Sequence, residues 1–439
     1  MTGRFISALF SFKGLYVAFV IAVVFYGQVR MMFGLTPRHI AIVAMFIACA
    51  RQSISFPLGR IMKAYLLFVF TFVVSATLTG YLSQLLITYY IAACTGYWAT
   101  KILVIKYNDA KLLLNTIIIL GVINAVVTIG QMVGLPFADQ LVSSFHLKLP
   151  EKYLDKLSRE GGEVMALMLT RPGLFNSAVY NGYFLMTTGV ASLLLLVRKL
   201  QLKRLVPWII IVVGCICVQE RGPIIILGVL SAFAFYKILI VKKLKYFFLM
   251  TLFGLALYLL SGLVSSTMLQ ANQNDGGSRV VAMMYEDDDK QGAGYYSSML
   301  RESRFAELGL EDTGRSDIYE QTTDYLMDHP FIGGYHRLVH MYDMAPHNLF
   351  LNAFIYGGIV GGVAILFILF WQVKPLWRVL RRKIVRTNPV CFFAGLAYVA
   401  FTLNSLAHNR SIVTGDEFLW MLWAAFYFEY RKFFTTPRL

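Results

Sequence analysis

The segment HMYDMAPHNLFLNAFIYGGIVGG, residues 340–362, carries a polar loop directly into an apolar run, and the hand-over is Pro346-His347-Asn348. An imidazole titrates near neutrality, so a histidine held at the mouth of an apolar segment suits removal of a proton from a hydroxyl. The same triplet also suits plain helix initiation by Pro346 and Asn348. Three arginines occupy comparable places: Arg171 opens TRPGLFNSAVYNGYFL, Arg221 sits in CVQERGPIIIL, and Arg315 opens GRSDIYEQ. A guanidinium is a rigid fork that matches phosphate oxygens two at a time. Each has a bland competitor. Arg221 can pair with Glu220 or a lipid headgroup, and Arg315 with Asp317 or Glu311. Asn176 or Ser177 can simply cap a helix, while Asn176 and Asn181 together bring amides to one helix end. His408, Asn409 and Arg410 form a second polar group in a short loop near the carboxyl end.

The surroundings of these residues are apolar. Of 439 residues, 58% are hydrophobic and 15% charged, with mean hydropathy +0.63. A soluble domain of this length is nearer half apolar and a quarter charged. Runs long enough to cross a bilayer recur near 5–27, 39–56, 64–80, 83–105, 112–134, 178–197, 205–219, 223–240, 246–264, 347–372, 390–407 and 416–430, about twelve spans in all. The first is read as a retained span, because no small-residue cleavage site follows it. The expected architecture is an all-α polytopic membrane protein. Its parts are N-terminal spans (1–134), central spans carrying Arg171 and Arg221 (135–264), a large partly helical loop (265–346) and C-terminal spans (347–439).

The formal charge of +16 raises the question of nucleic acid, but its distribution answers it. The basic residues cluster in short loops: Arg198, Lys199, Lys203 and Arg204; Lys242, Lys243 and Lys245; Lys374, Arg378, Arg381, Arg382, Lys383 and Arg386. That is the positive-inside pattern, with membrane lipids as the partner and no nucleic acid. With twelve spans, all these loops and both termini fall on the cytoplasmic side. Arg171, Arg221, Arg315 and His347 then share the opposite rim, where the charge rule disfavours arginine and polar groups are functional candidates.

Two outer loops are long, 135–177 and 265–346. Within the second, GRSDIYEQTTDYLMDHPFIGG places Ile318, Tyr325 and Leu326 at helical spacing. A helix from about Ser316 to before Pro330 is expected, with Gly333-Gly334 turning the chain back to the membrane. The acidic run Glu286-Asp287-Asp288-Asp289 lacks further ligands at fixed spacing and reads as a solvated loop, not a metal site. The glycines at 357–358 and 361–362 read as helix-packing residues. All five cysteines fall inside spans, with no disulfide or metal framework.

These motifs, in this order, resemble the O-antigen ligase and Wzy-type polymerase superfamily. The resemblance rests on Arg171, Gly173, Phe175 and Asn176 opening a span; Arg221-Gly222 at an outer turn; Gly314-Arg315-Ser316; His329-Pro330 through Gly333-Gly334; and His347, Asn348 and Leu351 before a glycine-rich helix. It covers about residues 165–372, and Glu220 stands where the family often has a small hydroxyl residue. The resemblance implies a GT-C-like fold in a bacterial inner membrane, with the site facing the periplasm. It implies an inverting glycosyltransferase that uses no metal and no cofactor. The donor is an undecaprenyl-diphosphate-linked glycan; the acceptor is another glycan for a polymerase, or lipid A-core for a ligase. His347 and Arg221 are then the expected catalytic residues. Arg171, Arg315, Asn176, Asn348 and Arg410 are the expected contacts to diphosphate or glycan. A flippase or other transporter is the competing class. It would need charged groups along a path at mid-membrane, whereas the candidates here gather at one rim.

Overall fold

The computed structural model describes residues 11–25, 36–133, 135, 138, 173–175, 178–198, 201–218, 220–242, 315–341, 346, 348–381, 384–406 and 411–435. The described residues are helical, with no strand among them. In chain order the helices are α1 (Phe12–Phe25), α2 (Pro37–Ala50), α3 (Arg60–Leu78), α4 (Gln84–Ile105), α5 (Ala110–Met132), α6 (Ala178–Ser192) and α7 (Leu194–Arg198). Next come α8 (Leu202–Val218), α9 (Arg221–Lys242), α10 (Arg315–Asp328), α11 (Leu349–Arg381), α12 (Ile384–Thr387), α13 (Pro389–Ser405) and α14 (Glu417–Thr435). A π-helical stretch, Tyr335–Met341, leads toward α11.

The chain is a helical membrane protein. Among the described residues, four helical stretches are long and apolar enough to cross a bilayer: Arg60–Leu78, Ala110–Met132, Val179–Val197 and Leu349–Arg381. Shorter apolar helices are Phe12–Phe25, Pro37–Ala50, Gly222–Ile238 and Pro389–Ser405. Residues 5–10 and the expected span 246–264 lie outside the described residues. The other expected spans coincide with helices, with two corrections. The helix expected over 39–56 stops at Ala50, because Gln52, Ser53 and Pro57 do not continue it and Trp98 Nε1 captures the Ile54 carbonyl at 2.9 Å. The helix expected over 347–372 begins at Leu349 and continues to Arg381, its basic last turns remaining helical.

Local chemistry sets the helix starts. Thr36 caps α2 with Pro37 at the first helical position, and His39 Nδ1 accepts from the Thr36 amide at 3.1 Å to close a capping box. Asn388 with Pro389 starts α13, and Asp416 starts α14 by accepting from the Leu419 amide at 3.0 Å. α14 is the central rod. It packs on α4 and α13, α13 on α6, and α6 on α5 and α8, while α11 lies along α3. Trp420 and Trp423 of α14 are completely enclosed.

The described contacts also fix which helix ends lie together. One end gathers Lys13 with Asp109 at 2.6 Å, Lys106 Nζ with Gln52 Oε1 at 2.7 Å, and Lys237 Nζ with the Arg381 carbonyl at 3.2 Å. This is the basic end. The opposite end gathers Arg38 with Glu417, Ser75 with Ile332, and Asn124 and Gln131 with Gly173, Leu174 and Asn181. The molecule divides into two compact units, Met1–Val241 with His329–Leu439, and Lys242–Asp328. The second contains α10, whose bounds match the helix expected between Ser316 and Pro330.

Candidate functional site

At the end opposite the basic loops, the turn Gly173-Leu174-Phe175 is held by side chains from two helices. Asn124, Thr128 and Gln131 recur at i, i+4 and i+7 on α5 and therefore share a face. Gln131 Oε1 accepts from the Gly173 amide at 2.9 Å, and Asn124 Oδ1 accepts from the Leu174 amide at 2.8 Å. Asn124 Nδ2 donates to Asn181 Oδ1 at 2.6 Å, and Asn181 Nδ2 donates to Thr128 Oγ1 at 2.8 Å. Thr128 Oγ1 in turn donates to the Asn124 carbonyl at 2.9 Å, which closes a chain of satisfied groups. Gly173 is obligatory here. Its φ is +60°, and a Cβ would stand 2.5 Å from Asn124 Oδ1. A buried polar chain with every member paired is rigid, because each unpaired group would cost about 1–3 kcal/mol. Asn181 therefore locks this turn from a fully buried position instead of offering its amide to a cavity.

That turn follows Arg171 by two residues. Arg171 and Asn176 lie outside the described residues, so what is seen is the anchored backbone between them. Arg221 is the first residue of α9, and its backbone alone is described. The turn that carries it packs on α6: a Cβ at Gly182 would meet Pro223 Cγ at 2.9 Å and Glu220 Cβ at 3.5 Å. Gly182 is the residue after Asn181. The Arg221 turn and the anchored 173–175 turn thus flank the same end of α6.

His347 lies outside the described residues, between Pro346, which is buried, and Asn348. Asn348 Oδ1 accepts from the Phe350 amide at 2.9 Å and the Leu351 amide at 3.2 Å, so its oxygen caps α11. Tyr356, two turns further on, has its ring centroid 4.7 Å from that of Tyr335 and 5.8 Å from that of Phe72 on α3. The first turns of α11 are therefore packed on α3 and on the segment that precedes them.

The start of α11 is set by a break in that helix. Gly358 has φ 61° and ψ −164°, a region open essentially to glycine. The freed backbone groups are taken by the His329–Gly334 segment: the Ile359 amide donates to the Pro330 carbonyl at 2.7 Å, and the Gly334 amide to the Ile355 carbonyl at 2.9 Å. Non-helical backbone inside an apolar layer persists only when its polar groups are satisfied in this way. Gly333, with φ +72°, would drive a Cβ to 2.4 Å from the Ile355 carbonyl. Ser75 of α3 donates to the Ile332 carbonyl and ties the segment to a third element. Gly333-Gly334 does turn the chain, as expected. Of the helix glycines, Gly357 and Gly361 do pack closely, against Phe68 and Thr71, but Gly358 is a break.

A buried ion pair completes this end, and it involves residues that the motifs did not point to. Arg38 Nη2 and Glu417 Oε2 are 2.6 Å apart, each side chain only 2% exposed, and the guanidinium lies 3.8 Å over the Tyr89 ring. Glu417 also borders a small crevice together with Val23, Phe175, Tyr183 and Phe401, so the pair adjoins the anchored 173–175 turn. Arg38 follows the first expected span on the rim where arginine is disfavoured, and that position was a signal available in the sequence. Arg315, described by its backbone, opens α10 in the other unit. Arg410 and the acidic run 286–289 lie outside the described residues. No family model, curated protein or solved structure matches this chain.

Proposed function

We propose that this protein is an inverting glycosyltransferase of the Wzy-type polysaccharide polymerase class. It acts on undecaprenyl-diphosphate-linked glycans at the periplasmic face of the inner membrane through a bundle of about twelve spans. One observation carries the reading most: the 173–175 turn and the Glu220–Pro223 turn flank one end of α6. Those turns bring the positions of Arg171 and Arg221 together, two guanidinium groups suited to one charged substrate, and His347 is the base the sequence offers beside them.

In the proposed step, an acceptor hydroxyl attacks the anomeric carbon from the face opposite the diphosphate. The bond from that carbon to the diphosphate oxygen breaks, the hydroxyl proton passes to His347, and the electron pair leaves with the lipid diphosphate. Arg171 and Arg221 stabilise the negative charge that develops there, a contribution of about 3–4 kcal/mol for each preorganised donor. The base adds roughly two to four powers of ten. The anchored 173–175 turn and the clamped start of α11 supply preorganisation, since their backbones are tied by hydrogen bonds before any substrate arrives.

The test is reconstitution of purified protein with lipid-linked repeat units. Chain growth that requires His347 supports the reading; full activity of His347→Ala removes the general base. A ligase uses the same residues, and deletion of the gene separates the two. Single repeats on core indicate loss of a polymerase, and unmodified core indicates loss of a ligase.

A further inference from the structure

Away from that end, α3 and α11 border a groove of about 600 Å³ that opens sideways from the bundle. Its walls are Ala64 and Leu67 on one side and Val360, Val363, Ala364 and Phe367 on the other, almost wholly apolar. The charges are confined to one end. Arg60 and Lys63 line it at the start of α3, one helical turn apart on a shared face. The Arg60 guanidinium lies 4.9 Å from the Trp371 ring, which fixes its position at that end. The far end of the lining is Ile359, whose amide donates to the Pro330 carbonyl beside the Gly358 break.

The length of this slot bears on its occupant. Along α11 the lining from Ile359 to Phe367 rises about 12 Å at 1.5 Å per residue. One leaflet of a hydrocarbon core is about 15 Å deep, half of about 30 Å. The slot therefore takes most of one leaflet's acyl chain with its headgroup at the cationic end.

We infer that the α3–α11 groove is a binding site for an anionic phospholipid of the leaflet on the basic side. Arg60 and Lys63 face its phosphate, and the apolar walls hold one acyl chain. Surface cations of this kind attract anionic lipid without any pocket, so the test has to separate a bound lipid from a general attraction.

Full-length protein is stripped in detergent, titrated with phosphatidylglycerol or phosphatidylcholine of identical chains, and read by native mass spectrometry. The wild type should retain phosphatidylglycerol over phosphatidylcholine by at least about fivefold. The double variant Arg60→Gln/Lys63→Gln should lose that preference while keeping the lipid-free melting temperature. Val363→Trp, which fills the slot, should abolish retention of both lipids; Val360→Phe narrows it from another exposed position should the tryptophan variant misfold. Equal retention of the two lipids by the wild type overturns the site, as does an undiminished preference in the double variant. Displacement of phosphatidylglycerol by undecaprenyl phosphate that Val363→Trp prevents would assign the groove to a polyprenyl chain and overturn the phospholipid.

Discussion

The two ends of the bundle use charge in opposite ways. At the basic end, Lys13 and Asp109 form a pair whose side chains are 44% and 30% exposed, and water shares the work of solvating them. At the other end, Arg38 and Glu417 are enclosed at 2% exposure each, and the protein alone must satisfy them. The same holds for amides. Lys106 and Gln52 meet on the surface, whereas Asn124, Asn181 and Thr128 meet inside. Charges at the basic end are shared with solvent, so each contributes little by itself. Polar groups at the other end fix particular turns, and each depends on its neighbours.

This contrast breaks most readily at the buried pair. Glu417→Gln leaves the Arg38 cation enclosed without its counter-charge and should cost about 3–5 kcal/mol, read as a lower thermal midpoint in detergent. Replacing both, Arg38→Met with Glu417→Leu, should recover most of that loss; no recovery would mean that the pair is not the unit that matters.

Next is the helix break. Gly358→Ala places a Cβ 2.2 Å from the Phe331 carbonyl in a backbone region that alanine avoids, and should cost about 3 kcal/mol. It should also loosen the 330–334 segment, which hydrogen exchange at the Gly334 amide would report. A stability loss with unchanged exchange would separate the break from the clamp.

Asn181→Ala removes partners from both Asn124 and Thr128 and should cost about 1–3 kcal/mol. Asn124→Ala added to it should cost less than the sum, because the two act as one chain. Additivity would show that the amides work independently.

At the foot of the scale, Lys13→Ala at the basic end should change stability by less than about 1 kcal/mol. His347→Ala should be as mild on the thermal midpoint and yet abolish glycan transfer, with His340→Ala and Lys290→Ala as active controls. A large stability loss from His347→Ala would make it part of the scaffold.

Much of this fold is legible in the sequence because apolar run length and helix caps are local signals. The bounds of α10 follow directly from cap residues and periodicity. The break at Gly358 does not, since IYGGIVGG stays apolar on either side and hydropathy carries no record of φ. Asn124, Thr128 and Gln131 are spaced for one face, but in a span so apolar they read as incidental polar residues. Their partners are about fifty residues away in sequence, across a long loop. Arg38 meets the same positional criterion that singles out Arg221, but no motif surrounds it. Burial against Glu417, 379 residues later, is a tertiary fact that no local pattern holds.

The interruption at Gly358 is splinted. The Ile359 amide on the long portion of α11 and the Ile355 carbonyl on the short portion both bond the 330–334 segment, and Ser75 of α3 holds that segment in turn. Three stretches of chain distant in sequence thus share one joint, and the bend direction of α11 is set by its neighbours instead of by the helix itself.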